Sequence, residues 1–343
     1  AILLVATIGF VSGFLVADSS MIAAYNEGFE KYHIEDGHFR VENALNRAQV
    51  RTLTDAGVTL YDLHYREAAL ENGSTLRIYP NRTQVNTVCL VQGALPAAAG
   101  EIAIDRMYAD NNDLTIGDIL TAASGERWTV TGLVALPDYS CLFSDNSDAM
   151  FDAVKFGVAV MTPEGYDALQ ETQSWNYAWT YDTPPKGETA EKDAAEAFMK
   201  VVNKTVSLQD FVPAYANQAI TFTGEDMGSD RAMMVVLLYI IIAIMAFVFA
   251  VTTANTIAKE ASVIGTLRAS GFTRGELVRH YMAMPVLVTL ISAAVGNLLG
   301  YTFLKDVCAE MYYGSYSLPT YVTRWNADAF WMTTAVPVVL MIF

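Results

Sequence analysis

Four side chains near the start of the chain are of the kinds that bind metal ions in proteins. They belong to His33, Glu35, Asp36 and His38, which lie within one stretch of six residues. Imidazole nitrogens and carboxylate oxygens are typical zinc ligands. Asp36-Gly37 in the same stretch is typical of a turn. A metal site on these four side chains is one interpretation, and a purely structural role is the favoured alternative.

A second acidic stretch contains Asp145, Asn146, Asp148 and Asp152. Calcium sites of the EF-hand type also require a central glycine and a terminal glutamate, and neither is in place here. We therefore expect a solvated loop, with a calcium site as the less favoured alternative.

Motifs of the common enzyme classes are missing from the sequence. It contains no GxxxxGK[ST], GxSxG, HExxH or CxxC pattern. Without the first, the chain cannot bind ATP through a P-loop; without the others, the usual nucleophile, zinc and dithiol centres are not recognisable. We predict that the chain is not an enzyme, and that it has no catalytic residue, no cofactor, no metal and no nucleic-acid partner.

The residues named so far belong to a chain with distinct apolar and acidic parts. Hydrophobic residues make up 53% of the 343 residues and charged residues 17%, against about 25% charged in a typical soluble domain. Residues 1–17 carry no charge, 18–231 carry 32 acidic and 15 basic residues, and the remainder is mainly apolar. This distribution indicates membrane-spanning segments joined to one water-exposed domain.

Four apolar segments are predicted to be transmembrane helices. The uncharged run 232–254 has 23 residues and as a helix would reach about 35 Å, enough to cross a hydrocarbon core of about 30 Å. The first and fourth segments are shorter than a full span, and we expect them to be truncated parts of a longer chain. The four segments are 1–17, 232–254, 281–304 and 329–343.

Residues 18–231 are predicted to form an α+β domain with helical stalks. Short β-like runs alternate with helical stretches, and roughly 200 residues are enough to bury a core. The β-like runs are 38–42, 59–63, 74–79, 87–92, 101–105, 127–134, 156–162 and 176–181, and the helical stretches are 46–56, 163–172 and 189–206.

The segment 255–280 is predicted to form a helix, a sharp corner and a second helix. Three apolar residues between 263 and 267 fall on one face of the first helix, and Gly271 follows it where the backbone must be left-handed. Thr273 and Glu276 have the spacing of a capping box that opens the second helix. The segment contains four basic and two acidic residues, which favours the cytoplasmic side of the membrane.

That orientation places residues 18–231 and the loop 305–328 outside the cytoplasm. A disulfide between Cys89 and Cys141 is permitted there, but nothing in the sequence sets their distance, so their pairing stays open. Gly296 and Gly300 in the third span have GxxxG spacing. This spacing allows two helices to approach closely, so both glycines are candidates for helix packing.

Several stretches resemble one known family. NTIAKEASVIGTLRASGFTRGELVRHYM, at 255–282, is similar to the cytoplasmic loop of FtsX/MacB-type ABC transporter permeases. VQGALPAAAGEIAIDRMYADNNDLTIGDIL, at 91–120, and WTVTGLVALPDYS, at 128–140, are similar to the periplasmic core domain of that family. The stretches YNEGFEKYHIEDGHF and MFDAVKFGVAVMT look like its Gram-positive branch. The matches touch most of the chain in the family's order.

The resemblance implies a multi-pass permease subunit of a bacterial plasma membrane, with a MacB-like periplasmic core. Its partners would be a separate ABC ATPase subunit, a second permease copy or homologous half, and the lipid bilayer. ATP-driven motion would pass through the stalks to the outer domain, for export, extraction or regulation of an unidentified envelope substrate. The helix after the second span is the family's coupling helix, which docks into the ATPase. The matching residues here are Lys259, Glu260, Val263, Ile264, Leu267 and Arg268.

Two other functions are weighed against this one. A membrane-anchored sensor or receptor with a ligand-binding ectodomain would require a cytoplasmic signalling domain; 255–280 is too short to supply it, so that domain would have to follow residue 343. A membrane-bound hydrolase would require a nucleophile and a base in a recognisable motif. Neither function explains an apolar, basic and well-capped loop. For the apolar face of that loop, a location on the membrane interface is the alternative to docking into an ATPase.

Overall fold

The computed structural model describes residues 1–342, so Phe343, the last residue of the predicted fourth transmembrane helix, lies outside the described residues. The helices are α1 (Ile2–Lys31), α2 (Arg47–Thr54), α3 (Arg106–Asn111), α4 (Pro163–Ala168), α5 (Glu188–Thr205), α6 (Gln218–Lys259), α7 (Ala261–Ala269), α8 (Arg274–Leu299), α9 (Lys305–Ser315) and α10 (Ala327–Ile342). The strands are β1 (Gly37–Val41), β2 (Val58–Asp62), β3 (Tyr65–Ala69), β4 (Thr75–Pro80), β5 (Cys89–Gly93), β6 (Glu101–Asp105), β7 (Ile119–Thr121), β8 (Arg127–Ala135), β9 (Phe156–Met161), β10 (Gln173–Tyr181) and β11 (Leu208–Pro213).

The chain divides into two units. The helical unit comprises 1–23, 226–312 and the described residues from 321 onward. The mixed-sheet unit comprises Ala24–Glu225 and Tyr313–Thr320. The uninterrupted helices α1 and α6 each contribute residues to both units.

Three helical stretches are long and apolar enough to cross a membrane: Ile2–Lys31, Gln218–Lys259 and Arg274–Ser315. The third consists of α8, a π-helical turn at Gly300–Leu304, and α9. α10 is a shorter apolar helix. The most apolar window of α1 is 61% buried, whereas that of α6 is 22% buried. α6 therefore exposes a large apolar surface, as a helix surrounded by lipid does.

The mixed-sheet unit is built on one sheet of eleven strands. Its main path runs β11-β1-β10-β3-β4-β9-β6-β8-β5, while β2 pairs with β10 and β7 with β8. The pairs β4–β9 and β6–β8 are parallel, and the other eight pairs are antiparallel. The predicted α+β character of this part of the chain is thereby confirmed.

Two apolar clusters form the core of this unit. The larger surrounds β4, β6, β8 and β9, and every residue of β9 is buried, as expected for a strand covered on both faces. In the second cluster Phe198 and Val202 of α5 pack with Phe39 and Trp179. The rings of Trp179 and Phe198 lie 5.1 Å apart, centre to centre. The helical stretch predicted at 189–206 is α5, which buries Ala195, Phe198 and Val202.

Three strands were missing from the sequence prediction. β3 (YREAA) contains alanine and glutamate, which are poor strand formers, and it forms because it pairs with β4 over four residues. β7 has only three residues, and β11 ends in proline. The order of such strands depends on neighbours distant in sequence, so local composition does not show it.

Candidate partner-binding site

The corner between α7 and α8 is fixed by backbone hydrogen bonds. The N–H of Phe272 donates to the carbonyl of Leu267 at 3.1 Å, and that of Gly271 donates to the carbonyl of Arg268 at 3.2 Å. This pair of bonds is a Schellman motif, which requires a left-handed residue after the helix. Gly271 supplies it with φ of +101°, so the left-handed glycine expected from the sequence is confirmed.

The start of α8 is capped as the sequence predicts. The N–H of Glu276 donates to the Thr273 hydroxyl at 3.3 Å, and the N–H of Thr273 donates to Glu276 Oε2 at 2.7 Å. The Tyr281 hydroxyl donates to Glu260 Oε2 at 2.6 Å, which joins α8 to the start of α7. The two helices therefore hold a defined angle without help from a buried core.

The six predicted coupling residues lie at the end of α6 and along α7. Val263 is 54% exposed, Ile264 and Leu267 are half-buried, and no residue of α7 is buried in the described structure. From Glu260 onward they follow i, i+3, i+4 spacing, so they share one helix face. We call these residues the α7 surface: Lys259, Glu260, Val263, Ile264, Leu267 and Arg268.

The two glycines predicted to serve helix packing lie where α8 and its π-helical turn meet α1. A Cβ atom at Gly296 would lie 2.8 Å from Ile8 Cγ2, and one at Gly300 would lie 2.8 Å from the Gly9 carbonyl oxygen and from Ser12 Cβ. Real Cβ atoms do not approach other atoms so closely. The helices reach this separation because both positions lack a side chain.

Beside this crossing, a polar network joins three helices of the helical unit. The hydroxyls of Ser12 and Thr333 both donate to Asn297 Oδ1, at 2.9 and 2.8 Å. Asn297 Nδ2 donates to the Ala293 carbonyl at 2.9 Å and to the Thr334 hydroxyl at 3.1 Å. The buried amide is thus fully bonded, which is the condition for a polar side chain among apolar helices.

Gly296→Ala is expected to lower the stability of the helical unit by about 1–3 kcal/mol, because the added methyl group overpacks the crossing with α1. Gly228→Ala in α6 is the matched control, since Gly228 is exposed with nothing within 4 Å of an added Cβ. That change should stabilise its helix by up to about 1 kcal/mol. Thermal unfolding of the two purified variants in the same detergent measures both effects. Changes of the same sign in the two transition temperatures would contradict the close crossing.

Comparison with known proteins identifies the part of the chain that carries these features. Residues 235–343 match the family described as FtsX-like permease C-terminal. They belong to the FtsX-like permease family. For residues 235–343 the resemblance seen in the sequence is thereby confirmed, and together with the three helices long and apolar enough to cross a membrane it indicates a membrane protein.

Other comparisons add little to this result. No curated protein matches the sequence. A solved structure described as a lipoprotein from Bacillus anthracis is 11% identical and has a TM-score of 0.28, covering 51% of this chain and 96% of its own. A likeness at this level does not assign the fold of the mixed-sheet unit.

The FtsX-like permease domain contains the whole α7–α8 corner and also Gly296, whose partner helix α1 lies outside the matched residues. It also supplies residues 313–320 to the mixed-sheet unit. There Arg106 Nη2 donates to the carbonyls of Tyr313 and Tyr316, each at 2.7 Å. The Ser317 N–H donates to the Ser140 carbonyl at 2.8 Å. This part of the permease domain is therefore built into the sheet unit.

The Ser317 hydroxyl also donates to Asp105, which is fully buried. Asp105 caps α3 by accepting from the N–H groups of Met107 and Tyr108, at 2.8 and 3.2 Å. Burial raises the pKa of the Asp105 carboxyl from 3.8 to about 6, although these hydrogen bonds and Arg106 act to lower it. The charged form is therefore the less stable one in the folded protein below that pH.

Folding stability should consequently depend on pH through Asp105. The folded chain binds the Asp105 proton up to about pH 6 and the unfolded chain only to about pH 4, so the free energy of unfolding should fall as pH rises through this window. The loss is about 3 kcal/mol for a raised pKa of this size. Asp105→Asn, which keeps the capping oxygen, should remove this part of the dependence. Unfolding of both forms at pH 4 and pH 7 measures the difference; equal pH dependence would contradict it.

The other candidate residues of the sequence have structural partners. His38 Nδ1 lies 2.5 Å from Glu35 Oε1. Burial acts to lower the pKa of His38, but the negative charge and the hydrogen bond of Glu35 outweigh it, so the pKa of His38 is raised. Among residues 1–342 no group of three or more His, Cys, Asp or Glu side chains is placed to hold a metal ion. Within the same range no disulfide joins Cys89 to Cys141. The acidic loop is held by its own turns, as where Asp148 accepts from Ser144 at 2.5 Å.

Asn297, Asp105 and Ser317 were not singled out as functional candidates from the sequence. Each belongs to a contact between residues far apart in the chain, with 285 positions between Ser12 and Asn297 and 212 between Asp105 and Ser317. Two local signals existed: Asn297 is a polar residue within an otherwise apolar span, and Asp105 lies directly before a short helix, a position typical of an N-cap.

Proposed function

We propose that the protein is the permease subunit of an ABC transporter, and that a separate ATPase subunit binds the α7 surface. The observation that supports this most directly is an exposed, rigidly capped apolar helix within the FtsX-like permease domain. Apolar surface left in water costs about 25 cal/mol per Å², so a partner that covers Val263, Ile264 and Leu267 gains that free energy. Lys259 and Arg268 beside them would set the orientation against an acidic groove.

The proposed topology follows from charge. The basic segment 255–280 lies in the cytoplasm, and residues 18–231, with their 32 acidic side chains, lie on the other side of a bacterial plasma membrane. The outer domain would be of the MacB-like periplasmic core type, which the resemblance of residues 91–120 and 128–140 supports. A second permease copy or homologous half completes the transporter in the bilayer.

The proposed mechanism is mechanical, and the chain itself performs no hydrolysis. Closure of two ATPase subunits on ATP moves the α7–α8 corner, and the motion reaches the outer domain along α1 and α6. This proposal is supported by the continuity of both helices, which contribute residues to both units. The work done outside would be export, extraction or regulation of an envelope substrate.

Purification of the chain with the ATPase encoded beside it tests the proposal. We expect a stable complex in detergent that hydrolyses ATP, and a changed ATPase rate relative to the isolated ATPase subunit. The proposal is wrong if the two proteins, co-expressed in one membrane, neither co-purify nor alter each other's activity.

A further inference from the structure

The mixed-sheet unit contains a polar cleft that the proposed transport function does not use. It lies beside one face of β11, β1, β10, β3 and β4, and residues between 138 and 146 form another of its sides. Its free space has a volume of about 50 Å³. A single buried water needs roughly 10–15 Å³, so the cleft holds a ligand of only a few non-hydrogen atoms. Its lining includes Arg40, Tyr65, Arg77, Tyr139, Asn176 and Asp210.

Three of these residues form a row across three neighbouring strands. Arg40 on β1 lies directly opposite Asp210 on β11 and directly opposite Asn176 on β10. Phe39, the preceding residue, points into the apolar core, because side chains alternate along a strand. The sheet register thus places a carboxylate, a guanidinium and an amide side by side along the cleft, at the spacing of adjacent strands.

Arg40 and Asp210 do not form an ion pair with each other in the described structure. Arg40 Nη1 donates to the Tyr65 hydroxyl at 3.1 Å, while Arg40 Nε is buried and has no acceptor among the described residues. Asp210 Oδ1 accepts only from the N–H of the next residue, at 2.9 Å. Arg40 Nη2 also has no acceptor among the described residues and, unlike Nε, is not enclosed, so this end of the guanidinium is suited to an anionic group.

The other buried or half-buried charged groups around the cleft are already in ion pairs. Arg77 donates to Glu67 at 2.8 and 2.6 Å and to the Tyr139 hydroxyl at 2.8 Å. Asp138, another lining residue, is held by Arg82, and Glu35 is held by His38. Asp145 carries its charge in the exposed loop and accepts from Ser147 at 2.9 and 2.6 Å. Arg40 and Asp210 are therefore the two half-buried opposite charges of the lining that have no ion pair in the described structure.

We propose that this cleft binds a small zwitterion, an α-amino acid whose carboxylate lies on Arg40 and whose ammonium lies on Asp210. A guanidinium binds a carboxylate through charge-assisted N–H donors, and Nη2 of Arg40 has no acceptor among the described residues and is the donor available for this. An α-amino acid carries its two charges on neighbouring carbons, which suits groups on adjacent strands. The small volume selects amino acids with little or no side chain, such as glycine and alanine.

Calorimetric titration of the whole chain in lipid nanodiscs tests this inference, with glycine, acetate and methylammonium as separate probes. Glycine should bind saturably, with one site per chain. Acetate lacks the ammonium and methylammonium lacks the carboxylate. Each should therefore have a dissociation constant at least about tenfold higher than that of glycine, because each loses one charge-assisted interaction. No saturable binding of glycine or alanine overturns the proposal, and so does acetate binding as tightly as glycine.

Variants assign the binding to the two named residues. Arg40→Met and Asp210→Asn should each abolish detectable glycine binding, whereas Arg47→Met, at an exposed arginine of α2 in the same unit, should leave it unchanged. Asp210→Asn only removes a charge from a half-buried position, so it should fold. If Arg40→Met fails to fold, Asp210→Asn alone tests whether the cleft binds glycine. Unchanged glycine affinity of Asp210→Asn overturns the proposal. This test needs no ATPase, so its outcome is independent of the proposed transport function.

Discussion

Replacing both Ile264 and Leu267 by aspartate is expected to abolish binding of the ATPase subunit while the chain still enters the membrane. Both side chains are already half-buried, so covering the remainder of each contributes about 1–1.5 kcal/mol, and a buried aspartate without a partner costs further free energy. The dissociation constant should therefore rise by more than about a hundredfold. Co-purification of the co-expressed subunits in detergent, followed by titration of the purified pair, measures the effect.

The matched control adds the same two charges to the other side of α7. Ser262 and Thr266 are exposed and lie away from the α7 surface by helical spacing. Ser262→Asp combined with Thr266→Asp should keep most of the affinity. If the variant at Ile264 and Leu267 binds as tightly as the parent chain, the α7 surface is not the ATPase contact, even where the complex itself exists.

Removing the carboxylate of Asp138 should destabilise the mixed-sheet unit more than any exposed charge does. Arg82 donates from Nη1 and Nη2 to the two Asp138 oxygens at 2.6 and 2.9 Å, and both side chains are at least nine-tenths buried. Asp138→Ala leaves the guanidinium buried without its counter-charge, which costs about 3–5 kcal/mol. Thermal unfolding of the full chain in detergent should show a clear decrease in the transition temperature.

An exposed ion pair provides the comparison for this prediction. Glu188 and Lys192 of α5 lie 2.6 Å apart with both side chains largely in solvent. Exposed pairs contribute little, because water screens the charges and the side chains lose freedom. Glu188→Ala should therefore leave the transition temperature unchanged. Equal decreases for the two variants would show that Asp138 has no special role in the fold.

Features set by nearby residues were predictable from the sequence. The left-handed Gly271 and the capping box of Thr273 and Glu276 depend on contacts within five positions, and both were predicted correctly. The long apolar helices α1 and α6 were predictable for a similar reason. Helical hydrogen bonds join residues four apart, and the length of an uncharged run is itself the signal for a span.

The strands were predicted less completely, because pairing partners lie far apart in the chain. β9 is a continuous run of buried residues, and the prediction placed it within one residue. β3 and β11 lack such a pattern, and they form only because β4 and β1 present free edges to them. Local composition does not show which edges will be free.

The sequence by itself determined that this chain has long apolar helices, an acidic α+β part and a capped corner with an apolar face, because each depends on residue type and short spacing. The tertiary structure alone decided which polar groups meet. Asn297 accepts hydrogen bonds from Ser12 and Thr333 only because the helices that carry them cross. Arg40 lies between Asp210 and Asn176 only because of the register of three strands. A one-residue change of register would move Arg40 to the other face of the sheet, so the cleft exists only once the whole sheet is assembled.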